Sequence, residues 1–459
     1  MLSRDDEVIV AQCTPRGAGA IALIRLSGCG VVALADRMSR LASGAELVAL
    51  ASHTIHYGSV TSQSGDIVDN VLFLLMHGPR TFTGQDTVEI TCHNNQFVVE
   101  QIIECAIELG ARLADRGEFA KRAVLNGKLD LLQAEAVNDL IHAATPQGLR
   151  KSLGQLEGTL SSKLVRMERE LIRAIALCEA SFEFIEDEAP DGFRDELLRI
   201  ICSLGDEVAA MQKSHNLQQQ VRNGARVVIV GAVNAGKSSL FNALLGVDRA
   251  IVTKLAGTTR DTVEAGVQRD GFFWTLVDTA GLRQTGNVVE REGIKRTIAA
   301  AQEADIVVLV FDGSRIHGAV EWDECLQMMS RWEDKLIVVR NKSDLVQHAL
   351  QGLGRQAMAV SSKTGENVPA LEDAIRRRIV QIMGKEEAPF LLNQRQYKLV
   401  MKLDGALQEV AAMLDQREVA YELISTHLND AASCIAEMTG KSITEKALDA
   451  VFREFCVGK

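Results

Sequence analysis

The sequence predicts a multidomain α+β chain in which an α/β unit interrupts a helical domain, on three observations. Short apolar runs and helical stretches mix over residues 8–120, and the strand signal then disappears from about 123 to 222. Residues 223–380 alternate short apolar strands with helices, the pattern of a parallel sheet with crossover helices. Helical periodicity resumes after 381. The boundaries that follow are an N-terminal α/β domain over 1–122, a discontinuous helical domain over 123–222 and 381–459, and an inserted α/β unit over 223–380. Two independent helical domains fit the same periodicity, which alone does not choose between them.

The elements follow in order. Val8–Gln12, Ala20–Leu26, Val71–Met76 and Thr87–Cys92 read as strands bounded by Gly-rich or polar turns, and Phe97–Leu109 as a helix. Leu129–Ala144, Leu149–Phe184 and Glu196–Val221 carry apolar residues at three- and four-residue spacing and read as amphipathic helices. Tyr397–Leu414 and Ala420–Met438 read the same way near the C-terminus.

A chain of 459 residues is long enough for two to four domains with sizeable cores. Aromatics are only 4% of it, so those cores must rest on Leu, Ile, Val and Ala. A net charge of −11 argues against a broad, nonspecific nucleic-acid-binding surface, which would be basic. The nine cysteines form no CxxC pair and no metal-site spacing, which predicts reduced thiols in a cytosolic protein. No apolar run approaches the roughly 20 residues that span a bilayer, and MLSRDDEVIV lacks a signal-peptide layout. The expectation is a soluble cytoplasmic protein without a membrane partner.

The strongest motif is Gly231-Ala-Val-Asn-Ala-Gly-Lys-Ser238, a GxxxxGK[ST] phosphate loop directly after the apolar strand Arg226–Val230. Backbone N–H groups of such a turn, at a helix N-terminus, point at phosphates. Asn234, Ala235, Gly236, Lys237, Ser238 and Ser239 are therefore candidate nucleotide contacts, with Lys237 on the β and γ groups and Ser238 a magnesium ligand. Trp274-Thr-Leu-Val-Asp-Thr-Ala-Gly281 ends an apolar strand in an acid and a glycine. It places Asp278 by the magnesium, with Thr279, Ala280 and Gly281 at the γ-phosphate. Asn341-Lys-Ser-Asp344 follows the strand Leu336–Arg340. Asn341 and Lys342 frame the base, and the Asp344 carboxylate accepts from guanine N1–H and the 2-amino group, which adenine does not present. Ser361, Ser362 and Lys363, after Met358–Val360, form the loop that closes over the base. Between the first two motifs, Ala256-Gly-Thr-Thr-Arg-Asp261 supplies Thr259 as a second magnesium ligand. Four motifs on strand ends in the right order predict a Ras-like P-loop G domain that hydrolyses GTP.

Ras-type enzymes carry a water-orienting glutamine after DTAG. Leu282 stands there and can do no such work. Asn234 can hold a monovalent cation against the phosphates, where potassium would offset charge building on the β–γ bridge. Glu290, twelve residues after Asp278, is the acidic residue best placed to polarise water, and a solvated surface carboxylate is the other reading of it.

Stretches beyond the G domain carry a resemblance. They are Ala11-Gln-Cys-Thr-Pro-Arg-Gly17, Ile24-Arg-Leu-Ser-Gly28, Phe82-Thr-Gly84, Gly117-Glu-Phe119, Asn126-Gly-Lys-Leu-Asp-Leu131, Gln133-Ala-Glu-Ala136 and the terminal Phe455-Cys-Val-Gly-Lys459. With the G motifs they resemble the MnmE (TrmE) family of tRNA-modification GTPases over nearly the whole chain. The resemblance implies a homodimer built through N-terminal domains that bind a tetrahydrofolate derivative (5-formyl- or 5,10-methylene-tetrahydrofolate). It implies potassium at Asn234, Thr253, Leu255 and Thr258, magnesium at Ser238 and Thr259, and a catalytic glutamate at Glu290. Arg25, Gln85, Lys128 and Lys459 fall at folate positions, and Cys456 at the family's terminal thiol. The implied partners are the flavoprotein MnmG, in a heterotetramer or larger assembly, and tRNA, whose wobble uridine receives an aminomethyl or carboxymethylaminomethyl group at C5. Three positions depart from the family pattern: Gln85 stands for an acid, His93-Asn-Asn95 for His-Gly-Gly, and Val233 for a proline.

Two other readings make distinct predictions. An Era-type ribosome-assembly switch calls for a basic RNA-binding module after the G domain, such as a KH fold with its GxxG loop, and 381–459 contains no GxxG. A signalling switch with an external activator predicts slow turnover indifferent to the monovalent cation.

Overall fold

A computed structural model of the chain describes residues 6–181, 192–232, 234–246, 263–269, 272–278, 299–315, 330, 332–345, 357–383, 389–416 and 419–458. The first part runs β1 (Ile9–Gln12), β2 (Ile21–Ser27), α1 (Val31–Arg37), β3 (Ser39–Leu41), β4 (Thr54–Thr61), β5 (Ile67–Met76), β6 (Thr87–His93), α2 (Gln96–Glu108) and β7 (Arg112–Leu113). Helices follow: α3 (Glu118–Leu125), α4 (Leu131–His142), α5 (Pro146–Leu156), α6 (Thr159–Ser181) and α7 (Phe193–Asn223). The inserted unit holds β8 (Ala225–Gly231), α8 (Lys237–Leu245), β9 (Val263–Arg269), β10 (Phe272–Asp278), β11 (Ile306–Asp312), β12 (Leu336–Asn341), β13 (Met358–Ala359) and α9 (Val368–Met383). The chain closes with α10 (Gln394–Leu414), α11 (Tyr421–Thr439) and α12 (Glu445–Phe452).

Two compact units divide these elements. One takes in Met1–Asn138, Gln155–Gly205 and Lys398–Lys459, the other Asp139–Gly154 and Asp206–Tyr397. In the first, a seven-stranded sheet of order β3-β4-β5-β6-β2-β1-β7 carries the N-terminal fold. Its strands pair antiparallel except β1 with β7. The expected strands over 8–26 and 71–92 are present, and β3, β4 and β7 join them. Alternation in β2 buries Ala22, Ile24 and Leu26 in the core shared with α1 and α2. Period two therefore turns Arg25 to the other face, opposite Glu89 of β6.

The expected single helix over 149–184 is two helices, α5 and α6, with a break at Glu157–Gly158. A glycine at a helix end supplies the left-handed residue that stops the helix, so apolar spacing alone reads straight through it. On α6, Leu160, Leu164, Met167, Leu171, Ala174 and Cys178 form one buried stripe. It packs on α11, whose Ile424, Leu428, Ala431, Ile435 and Met438 are likewise buried. At the end of the chain, α12 and the following Phe455 seat against α3 and the start of α4 in a cluster of Ala120, Leu131, Ala134, Leu448, Phe452 and Phe455. That packing brings the C-terminal residues to the N-terminal sheet.

The second unit is built on a six-stranded sheet of order β13-β12-β11-β8-β10-β9, parallel except for β9. Its central strands bury both faces, and β11 is buried along its whole length. Such strands read as unbroken apolar runs, with no alternation. Val227 and Ile229 face α8 and α9, while Val228 and Val230 face Ala301, Ala304 and Trp332. Among the described residues no helix is long and apolar enough to cross a membrane, and no cluster of metal-ligating side chains occurs.

Candidate functional site

In the second unit the nucleotide motifs converge at the C-terminal ends of the parallel strands. Strand β8 delivers the loop that opens α8, and Gly236 caps that helix at φ 90°. Asn234 also takes a left-handed backbone, at φ 61°, and its side chain is exposed. Lys237 is buried, with Nζ donating to the Ala232 carbonyl at 2.8 Å, so its cation is held inside the curl of the loop. The exposed Ser238 hydroxyl, in the first turn of α8, has no hydrogen-bond partner among the described residues. An unpartnered hydroxyl there suits a metal ligand. Asp278 ends β10 with its backbone opposite Ile229 of β8, two residues before the loop glycine. Thr253, Leu255, Thr258, Thr259, Thr279, Ala280, Gly281, Leu282, Glu290 and Val233 lie outside the described residues.

The base-recognition motifs are tied to the phosphate loop by one side chain. Asn341 is fully buried; Nδ2 donates to the Ala235 carbonyl at 2.9 Å and Oδ1 accepts from the Ser362 N–H at 3.0 Å. Ser361 Oγ donates to Asp344 Oδ1 at 2.6 Å. That hydrogen bond, foremost, holds the exposed Asp344 carboxyl below its ordinary pKa, so it meets a ligand as an acceptor. Between these loops lies a cavity of about 590 Å³, lined in part by Gly236, Ser239, Asn242, Asp344, Leu345 and Lys363. The structure thus brings the phosphate loop, Asn341, Lys342, Asp344, Ser362 and Lys363 together.

One residue of this site was not read from sequence. Asp312 ends β11 and accepts from Lys342 Nζ at 2.6 Å and from Ser314 Oγ at 2.6 Å. Burial alone would raise its pKa, but the bonds from Lys342 and Ser314 outweigh burial and keep the carboxyl below its usual value. The signal was there: Ile306–Phe311 is an apolar run ending in an acid, as Trp274–Val277 is before Asp278. Asp312 pins Lys342, whose backbone is left-handed at φ 63°. Asp312→Asn should weaken GDP binding about tenfold, the cost of losing one charge-assisted hydrogen bond. Titration with a fluorescent GDP analogue checks this, and affinity within twofold of the parent would remove Asp312 from the site.

The first unit holds a second candidate site, around Phe82–Gln85. Arg25 Nε donates to Glu89 at 2.7 Å, and its guanidinium lies 5.5 Å from the ring centroids of both Phe82 and Phe119. Its two terminal nitrogens make no hydrogen bond among the described residues. Lys128 is exposed, its ammonium unpaired among those residues, and a side chain on Gly84 would meet its stem at 3.2 Å. A forked cation and a free ammonium beside an exposed aromatic suit a ligand with a flat ring and carboxylates. Gln85 is different. Its Oε1 accepts from the buried Arg122 at 3.0 Å, so its acceptor oxygen is already engaged within the protein. At the chain end, Cys13 Sγ donates to the Gly458 carbonyl at 3.1 Å, and the Gly117 N–H donates to the Cys456 carbonyl at 3.3 Å. Cys456 is exposed beside the start of α3, whose Phe119 underlies Arg25, and Lys459 lies outside the described residues.

Comparison with known proteins gives the family of the chain. The family model described as MnmE helical domain matches residues 131–456, and that described as GTP-binding protein TrmE N-terminus matches 8–128. A tRNA modification GTPase MnmE of Acetivibrio thermocellus is 36% identical over 462 residues, covering 99% of each chain. One of Symbiobacterium thermophilum is 37% identical, covering 99% of this chain and all of that one. Among solved structures, the G domain of the T. maritima FeoB iron transporter is 26% identical with a TM-score of 0.27, covering 35% of this chain and 99% of that one. The chain belongs to the MnmE (TrmE) family of tRNA-modification GTPases and is a GTP hydrolase.

Proposed function

We propose that this GTPase is activated by potassium and acts, as a homodimer with the flavoprotein MnmG, on C5 of the wobble uridine of certain tRNAs, drawing a one-carbon unit from a tetrahydrofolate derivative. The observation that carries the proposal is Arg25 beside Phe82 with Lys128 against Gly84 of the same loop, on the same chain as the GTP cavity. They suit a pterin ring with an anionic glutamate tail. When bound, the folate supplies the carbon that is joined to the uridine; the protein's residues hold it and keep its tail fixed. Cys456 beside α3, with Lys459 following it, is proposed to complete this cleft.

In the G domain, the exposed Asn234 amide is the described part of the proposed potassium site, and Ser238 that of the magnesium site. Potassium would spread charge from the β–γ bridge in place of an arginine finger. Lys237 neutralises the phosphates, and Glu290 is assigned to the attacking water. Self-association is supported by an exposed apolar strip on the N-terminal sheet, where Ile55, Tyr57 and Leu72 are 64%, 58% and 40% exposed on neighbouring strands.

GTP turnover should be at least about tenfold faster in potassium than in sodium, since a missing charge stabiliser costs far more than that in related chemistry. Equal rates would return the G domain to the class of switches that need an external activator. Glu290→Ala should slow turnover on the order of a hundredfold with GTP affinity nearly unchanged. Loss of affinity with unchanged turnover per bound GTP would show that the role is wrong. For the cellular reaction, mass analysis of wobble uridines in a deletion strain decides: the C5 group should vanish, and unchanged nucleosides would overturn the proposal.

A further inference from the structure

The Phe82–Gln85 loop is laced from below by small hydroxyls. Thr81, Thr83, Thr87 and Ser27 are all buried. Thr81 Oγ1 and Thr87 Oγ1 donate to the Gln85 carbonyl at 2.6 and 3.1 Å, and Ser27 Oγ lies 2.7 Å from Thr83 Oγ1. Asn126, at the end of α3, donates its amide N–H to the Thr83 carbonyl at 2.7 Å.

At the centre of this seat is Arg122, on α3 and only 1% exposed. Its Nη1 donates to the Glu7 carbonyl at 2.8 Å, the Ser27 carbonyl at 3.4 Å and Gln85 Oε1 at 3.0 Å. Its Nη2 donates to Glu118 Oε1 at 3.0 Å. A guanidinium has only donors, so it is the oxygen of the Gln85 amide, and not its NH2, that faces Arg122. Arg122 therefore joins the segment leading into β1, strand β2, helix α3 and the loop through one planar group. Glu7 and Glu118 are also bound by Arg112, at 2.6 Å each, so two carboxylates already balance two guanidiniums. The neutral amide at 85 fits that balance; a carboxylate there would leave the cluster with one uncompensated negative charge.

We infer that Arg122 is a positioning residue for the candidate site around Phe82–Gln85: through Gln85 it fixes the loop that carries Phe82, while Arg25 and Lys128 take the anion. The inference rests on the folate reading for the identity of the ligand. Its bracing step stands on the geometry alone. A ligand cleft held by a locked loop binds tightly because little ordering remains to be done on association.

The test uses full-length protein and 5-formyltetrahydrofolate as the probe. Arg122→Lys keeps a cation for Glu118 but cannot reach four acceptors, and Gln85→Ala removes the loop's end of the contact. Each should weaken binding about tenfold. The double variant should bind no worse than either single one, because both remove the same link. Multiplying losses would show Arg122 acting only on general stability. Amide hydrogen exchange of the ligand-free protein gives the second arm. Arg122→Lys should speed exchange across residues 81–87 and leave the β11 peptide of the other unit unchanged. Unchanged exchange at 81–87 overturns the inference whatever the ligand does. Faster exchange in a protein whose parent form does not bind the probe upholds the brace and removes the folate reading.

Discussion

Gly236→Ala should abolish nucleotide binding, lowering GDP and GTP affinity more than about a hundredfold. Two independent costs meet at this position. The backbone sits at φ 90°, where a Cβ costs about 1–2 kcal/mol, and a methyl there would lie 2.2 Å from Asn341 Nδ2. Asn341 cannot give way cheaply. It is fully buried, and its amide joins the Ala235 carbonyl of the phosphate loop to the Ser362 N–H of the base-closing loop. The substitution therefore disturbs phosphate and base recognition together. All three tryptophans, at 274, 322 and 332, belong to the G-domain stretch of the sequence, so intrinsic fluorescence follows this unit alone. Thermal unfolding by that signal should fall by several degrees, and titration with a fluorescent GDP analogue gives the affinity. Binding within threefold of the parent would mean that the contact at 236 is not the hinge of the site. Asn341→Ala should also weaken binding, and the double variant should lose less than the two separate losses combined, since the clash has gone.

How much of this could be read in advance differed between the two units, for physical reasons. In the G unit, strands buried on both faces appear as continuous apolar runs, and the loops after them carry the chemistry. The loops after β8 and β12, which the structure brings together, were therefore legible as candidate site segments, and Asp312 was missed only because no familiar motif follows it. The N-terminal sheet hid more. In Thr54–Thr61 the residues pointing outward are Ile55 and Tyr57, so the polar-out pattern that marks a half-buried strand is absent. Arg122 was illegible for a similar reason: an arginine on a short helix reads as a solvated cation, and its partners are Glu7 before β1, Ser27 of β2 and the Gln85 loop, distant in sequence. Gln85 was read as a ligand contact, while the structure engages its oxygen internally.

The second large effect is expected at Glu118. This carboxylate is 6% exposed and bound by Arg112 through two bonds, at 2.6 and 2.8 Å, and by Arg122 at 3.0 Å. It also accepts the Asp115 N–H at 2.8 Å. Glu118→Gln keeps the shape but leaves two guanidiniums, one almost fully buried, with Glu7 as their remaining carboxylate. Removing one partner of a buried ion pair costs about 3–5 kcal/mol, because the other charge stays buried. The first unit should lose about that much, read by calorimetry or by hydrogen exchange in β2 and α3, since tryptophan fluorescence follows the other unit. A cost below about 1 kcal/mol would mean that the cluster is solvated and holds nothing in place. The pH dependence has a definite sign. Burial alone would raise the Glu118 pKa, but the bonds from Arg112 and Asp115 and the charges of Arg112 and Arg122 lower it below the ordinary carboxylate value. A group whose folded pKa is depressed contributes its full stability above its unfolded pKa, about 4.3, and loses it as pH falls toward the folded value. The gap between parent and Glu118→Gln should therefore be widest near neutrality and shrink steadily as pH falls below about 4. A gap that stays constant to pH 3 would place the effect in packing, with the carboxylate charge contributing nothing.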